Sequence, residues 1–130
     1  MTRVPHFEDV LGPLAAAIVR KVVARGEATV ADVVAELGRS QGRDHAYTTI
    51  MTVMGRLHDK GVLERERRGR QYVYRPSASE AVLVDRLSGQ AVERLVDRFG
   101  TAALRHFAVQ LADLDPETRR RLAELADEPK

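Results

Sequence analysis

Thr48, Thr49, Met51, Thr52 and Arg56 crowd into a short stretch of the chain, and Arg67, Arg68 and Arg70 follow soon after. At 100° per residue, Thr48, Met51, Thr52 and Gly55 share one face of a helix, flanked by Thr49 and Arg56. Small hydroxyls and one flexible apolar side chain suit poorly a helix that only meets water, where Glu and Lys serve better. They suit a surface that enters a groove. A threonine offers a hydroxyl to base edges or phosphates and a methyl to thymine, and Arg56 reaches a phosphate or a guanine. Tyr47 opens the same helix, and Arg43 just before it lies close enough to meet a nucleic-acid backbone. A solvated helix decorated with threonines accounts for any one of these residues, but less well for four positions converging on one face.

Other chemistry is hard to assemble. His6, His45, His58 and His106 are scattered, and none falls into a HExxH or similar spacing. There is no Gly-x-Ser-x-Gly and no glycine loop to cradle a phosphate. The absence of cysteine excludes disulfides and thiolate metal sites. The expectation is a chain with no catalytic residues, no metal site and no cofactor.

The elements that must position the reading face are legible around it. Ile50, Val53, Met54 and Leu57 repeat at the spacing of one buried helix face, and Lys60-Gly61 reads as the helix end. A hairpin follows, with Val62–Arg67 and Arg70–Arg75 as strands, a turn at Arg68-Gly69 and Pro76 as its close. A short helix feeding a two-stranded ribbon with arginines at its tip is a winged-helix layout. Upstream, residues 2–9 read as a loose arm. A helix from Gly12-Pro13 to about Arg25 buries Leu14, Ile18 and Val22, and Gly26 ends it. Glu27-Ala28 can supply a very short strand. Thr29-Val30-Ala31-Asp32 resembles a capping box that opens a helix with Val30, Val33, Val34 and Leu37 on its apolar face. Residues 38–44, rich in glycine and polar side chains, read as the turn of a helix-turn-helix.

Beyond Pro76 the pattern becomes helical throughout. A long amphipathic helix over 77–99 carries Leu83, Leu87, Leu95, Val96 and Phe99 and stops at Gly100. Thr101 can cap a second helix with Leu104, Phe107, Leu111 and Leu114. Asp115-Pro116-Glu117 starts a third with Leu122 and Leu125. These helices expose more apolar surface than they could bury alone, which predicts a homodimer packed through Leu83, Leu87, Leu95, Phe99, Leu104, Phe107 and Leu111. The fold class expected is mainly α with a small antiparallel β-hairpin, divided into a winged helix-turn-helix head over 1–76 and a helical dimerisation region over 77–130. Net charge is +2, but residues 43–75 alone carry eight basic and four acidic side chains. That local excess is what phosphate contact and counterion release require. No run of 18 apolar residues appears, and the N-terminus lacks the apolar core of a signal peptide, so a cytoplasmic protein without membrane insertion is expected.

The block AYTTIMTVMGRLHDKGVLERERRGRQYVYRP, together with Leu11-Gly12-Pro13-Leu14 upstream, resembles the recognition helix, wing and first helix of the penicillinase-repressor (BlaI/MecI/CopY) family. The resemblance implies a dimeric winged-helix repressor that binds double-stranded DNA at an operator of dyad symmetry with TACA and TGTA half-sites. It implies control of β-lactam-resistance or cell-envelope stress genes, and a membrane sensor metalloprotease as partner. Some members are cut within a C-terminal helix just before a phenylalanine, which places the junction here at His106-Phe107, with His where those members have Asn. The copper-responsive branch binds metal through C-terminal cysteines, which this chain lacks. Two other readings stand beside it: a ligand- or metal-responsive winged-helix regulator, and a winged helix used as a protein-interaction module, for which an apolar outer face is expected.

Overall fold

A computed structural model describes residues 4–41 and 45–127. Among these residues, seven helices and one hairpin follow in the order α1 (Phe7–Leu11), α2 (Pro13–Arg25), α3 (Val30–Gln41), α4 (Tyr47–Asp59), β1 (Leu63–Arg68), β2 (Gln71–Pro76), α5 (Glu80–Phe99), α6 (Thr101–Ala112) and α7 (Pro116–Ala126). Two compact units divide the chain, residues 1–89 and 90–130.

The first unit is a winged helix-turn-helix built on one apolar core. Ile18, Val19 and Val22 of α2, Val33 and Leu37 of α3, Ile50, Met54 and Leu57 of α4, and Val62, Leu63 and Tyr74 around the hairpin are all buried. Thr29 and Asp32 form the reciprocal box that starts α3: Thr29 N–H donates to Asp32 Oδ2 at 3.0 Å, and Asp32 N–H donates to Thr29 Oγ1 at 3.1 Å. The Thr29 N–H bond is the main reason the Asp32 carboxyl sits below its usual range. Ala28 makes the short strand contact, exchanging hydrogen bonds of 2.9 and 2.8 Å with Tyr74.

Helix α4 ends in a Schellman motif. Val62 N–H reaches the Leu57 carbonyl at 2.9 Å and Gly61 N–H reaches that of His58 at 3.0 Å. Gly61 holds φ +79, which an L side chain adopts only under strain. Leu57 and Val62 are both buried, so the apolar contact that accompanies the motif is in place. The hairpin pairs Leu63 with Pro76 through to Arg68 with Gln71. Its loop is therefore Gly69-Arg70, one residue later than expected from sequence. Gly69 has φ +67 and Arg70 does not share that region, the pattern of a II′ turn with glycine in the first loop position. Ser77 closes the root of the hairpin: its N–H donates to the Val62 carbonyl at 3.0 Å, and its hydroxyl lies 2.6 Å from the Gly61 carbonyl.

Several sequence expectations are corrected. Residues 7–9 belong to a short helix over 7–11 rather than to a loose arm, because Phe7 is fully buried and lies under the Arg20 guanidinium, 5.4 Å from its ring centre. Arg20 also bonds Glu8 at 2.6 and 2.9 Å and Glu80 at 3.2 and 3.3 Å, tying α1, α2 and the start of α5 together. Helix α3 runs through Gly38 to Gln41, where a turn was expected. Burial of Leu37 and the Glu36–Arg39 pair at 2.6 Å outweigh the cost of about 1 kcal/mol for a glycine in a helix. Helix α5 begins at Glu80, since Ser77 is committed to the hairpin root and Ser79 accepts the Val82 N–H at 3.3 Å as cap.

The second unit carries the end of α5, then α6 and α7. Gly100, not Thr101, takes the N-cap of α6. Asp115 caps α7 as expected, accepting the Thr118 N–H at 2.7 Å with Pro116 next to it. Among the described residues, neither α6 nor α7 has a buried side chain.

Candidate nucleic-acid interface

The apolar face of α4 fixes where its other face points. With Ile50, Met54 and Leu57 buried, Tyr47, Thr48, Thr49, Met51, Thr52 and Arg56 are all exposed, and Met51 is open to 45%. Ala46 offers no side chain to cap the helix, so the first-turn N–H groups have no cap acceptor from it. The Thr52 hydroxyl donates to the Thr48 carbonyl at 2.9 Å. Its proton is thus committed to the helix, and outward it offers a methyl and oxygen lone pairs. Arg56 has no ion-pair partner among the described residues. Asp59 ends this face one turn beyond Gly55, its carboxylate exposed. Arg43 lies outside the described residues.

The hairpin register divides the wing into two chemically different sides. On one, Arg65, Arg67, Tyr72 and Tyr74 stand together, since Arg65 faces Tyr74 and Arg67 faces Tyr72. The Arg65 guanidinium lies 4.1 Å from the Tyr72 ring centre and that of Arg67 lies 5.9 Å away. Arg65 also approaches the Tyr74 hydroxyl at 3.4 Å, which raises its pKa further. On the other side, Arg68 pairs with Glu27 at 2.6 Å and with Glu66, and Arg75 pairs with Glu66 at 3.1 Å. Arg68 accordingly pulls the Glu66 carboxyl below its usual range. Arg70 stands in the loop with no ion-pair partner among the described residues.

The candidate residues therefore differ in readiness. Thr48, Thr49, Met51, Thr52 and Arg56 share the exposed side of α4, while Arg67 and Arg70 share the exposed tip of the wing. Arg68 is neutralised by two carboxylates. Tyr72 escaped the sequence reading, although period-2 alternation from a loop at Gly69-Arg70 places it opposite Arg67.

The apolar residues expected between protomers also divide. Leu83 and Leu87 are 1% and 6% exposed, packed into the core of the first unit instead, because the opening turns of α5 complete that core. Leu95, Phe99, Leu104, Phe107 and Leu111 belong to the second unit and are exposed, Phe99 to 53% and Leu104 to 55%. Leu95, Phe99, Ala102, Ala103, His106 and Phe107 line an open apolar cleft of about 310 Å³. Among the described residues no three His, Asp or Glu side chains gather as metal ligands. No helix among them is long and apolar enough to cross a membrane.

Comparison with known proteins places this geometry in context. The family model described as the penicillinase repressor matches residues 11–128. The solution structure of the DNA-binding domain of the repressor BlaI is 29% identical, covering 62% of this chain and 92% of that one, with a TM-score of 0.44. The crystal structure of an ArsR family transcriptional regulator is 19% identical, covering 75% of this chain and 97% of that one, also with a TM-score of 0.44. No curated protein sequence matches the chain.

Proposed function

The chain belongs to the penicillinase repressor family, and from that premise we propose that it is a homodimeric repressor that reads a DNA operator of dyad symmetry. The observation that carries this reading is the outward face of α4, where Thr48, Met51, Thr52 and Arg56 are exposed over a buried Ile50–Met54–Leu57 seam. In the proposed complex this face lies in the major groove and Arg67 and Arg70 meet the sugar-phosphate backbone beside it. The first turn of α4, which Ala46 leaves without a side-chain cap, supplies N–H groups to a phosphate.

A second copy covers the apolar surface of residues 95–111. Leu95, Phe99, Leu104, Phe107 and Leu111 form more exposed apolar surface than scattered side chains on a monomer. Two linked heads then gain affinity because the second half-site contact is intramolecular. Family membership further supports control of β-lactam-resistance or cell-envelope stress genes, with release by a membrane sensor metalloprotease that cuts at His106-Phe107. Cutting there severs α6 and removes the apolar contact between copies.

The test is fluorescence anisotropy with a selected operator and a random duplex across a salt series, beside sedimentation of the free chain. Selective, salt-dependent binding by a dimer supports the reading; a micromolar monomer, or equal affinity for both duplexes, refutes it. The release step is tested by exposing producing cells to a β-lactam and following the intact mass of the chain. A chain that stays whole while its promoters switch on excludes proteolytic release.

A further inference from the structure

Gly55 sits inside α4, a 13-residue helix, where glycine is a poor choice for stability. Nothing among the described residues calls for it. Its φ is outside the left-handed region, and a Cβ built on it meets no atom within 4 Å. An alanine would fit without strain and hold the helix better, so packing inside the protein does not account for the missing methyl group.

The neighbours of Gly55 indicate what that is. Met51 stands one turn back and is exposed, and Thr52 lies beside it with its hydroxyl proton committed to the Thr48 carbonyl at 2.9 Å. The surroundings are therefore an apolar thioether, a methyl and bare backbone. Mid-helix N–H groups are already bonded within the helix and offer nothing to a phosphate. The exposed Asp59 carboxylate, one turn further on, repels one. Room beside apolar atoms suits the one apolar group that the major groove presents, the C5-methyl of thymine.

We infer that Gly55 is where the backbone of α4 takes in the methyl group of an operator thymine, with Met51 and Thr52 flanking it. This rests on the operator-reading function proposed above. It makes Gly55 a specificity determinant through what it lacks: a Cβ there occupies the space of the methyl and leaves the other contacts misplaced.

The experiment selects an operator from a random duplex pool with the full chain. Wild type and Gly55→Ala are then compared on that operator, on a random duplex, and on operators with each dT replaced in turn by dU. The variant is expected to melt higher than wild type and to bind the operator at least about ten-fold more weakly, with its random-duplex affinity unchanged. One dU position per half-site is expected to weaken wild type while restoring part of the loss in Gly55→Ala. The dU series on wild type needs no variant, so it stands whatever Gly55→Ala does to folding. Unchanged operator affinity in the variant, an equal loss on random duplex, or no dU position that distinguishes the two proteins overturns the inference alone. A wild-type chain that selects no sequence overturns the operator-reading function and this inference with it.

Discussion

Arg68 at the wing tip is tied to Glu27, 41 residues earlier in the chain, by a bond of 2.6 Å from Nη1 to Oε2. Both side chains are about half exposed. Solvent screens an exposed pair of this kind, so it adds little to the fold. Its larger effect is on charge, because it withholds one of the wing's cations from any approaching phosphate.

Replacing Glu27 by Gln should therefore strengthen DNA binding. The expected outcome is higher affinity for operator and random duplex alike, with a steeper salt dependence by up to about one unit of log K against log salt. Stability should hardly change, since solvent screens the pair. Anisotropy titrations across a salt series check this; an unchanged slope removes Glu27 from the electrostatics of binding.

Arg70 and Arg68 should behave differently. Arg70→Ala is expected to weaken binding to all sequences and to lower the salt slope by about one unit, as for a phosphate contact. Arg68→Ala should lose less, since its charge is already balanced by Glu27 and Glu66. Equal losses would show that Arg68 breaks its ion pairs on binding.

Thr48→Ala should cost roughly 1–3 kcal/mol of operator affinity and leave random-duplex binding intact. Competition titrations measure the ratio directly, and an equal loss on both duplexes would move Thr48 from base reading to backbone contact.

Phe7→Ala should cost about 3–5 kcal/mol of stability, the range for deleting a fully buried aromatic side chain. Urea unfolding of the two proteins gives the difference. A loss below about 1 kcal/mol would return residues 7–9 to the loose arm that their sequence suggested.

Acid should loosen the joint between α1, α2 and α5. Hydrogen bonding to Arg20 holds the Glu8 carboxyl down to about 2, against an ordinary 4.5. A depressed carboxyl contributes its stability fully above the unfolded value and loses it as pH falls, here between about 4.5 and 2. Glu8→Gln should melt below wild type at pH 6 and converge with it towards pH 2. Parallel melting curves across that range would show that the bond adds nothing to the fold.

Much of this architecture is legible in the sequence because its signals are local. The Thr29–Asp32 box, the Asp115-Pro116 helix start and the Gly61 helix end each depend on residues within a few positions of one another. The exposed face of α4 followed from the same short-range periodicity. What escaped depends on distant residues. Nothing near Phe7 reveals that Arg20 will cover it, and nothing near Arg68 reveals Glu27. The apolar stripe of α5 reads as continuous, yet its first half completes the core of one unit and its second half belongs to another. Periodicity identifies a buried face but not what buries it. The loop register moved by one residue because Arg68 and Gln71 pair, leaving Gly69 to supply the positive φ.

The Ser77 bonds to Gly61 and Val62 close the root of a hairpin that Ala28 also holds at Tyr74 and Glu27 at Arg68. Backbone ordering costs roughly 1–2 kcal/mol per residue. A wing whose root was open would add that cost to every encounter with a partner. Clamped by Ser77, the strands are already set before any contact, and what an encounter must still freeze is the side-chain rotamers of Arg67 and Arg70 at the tip.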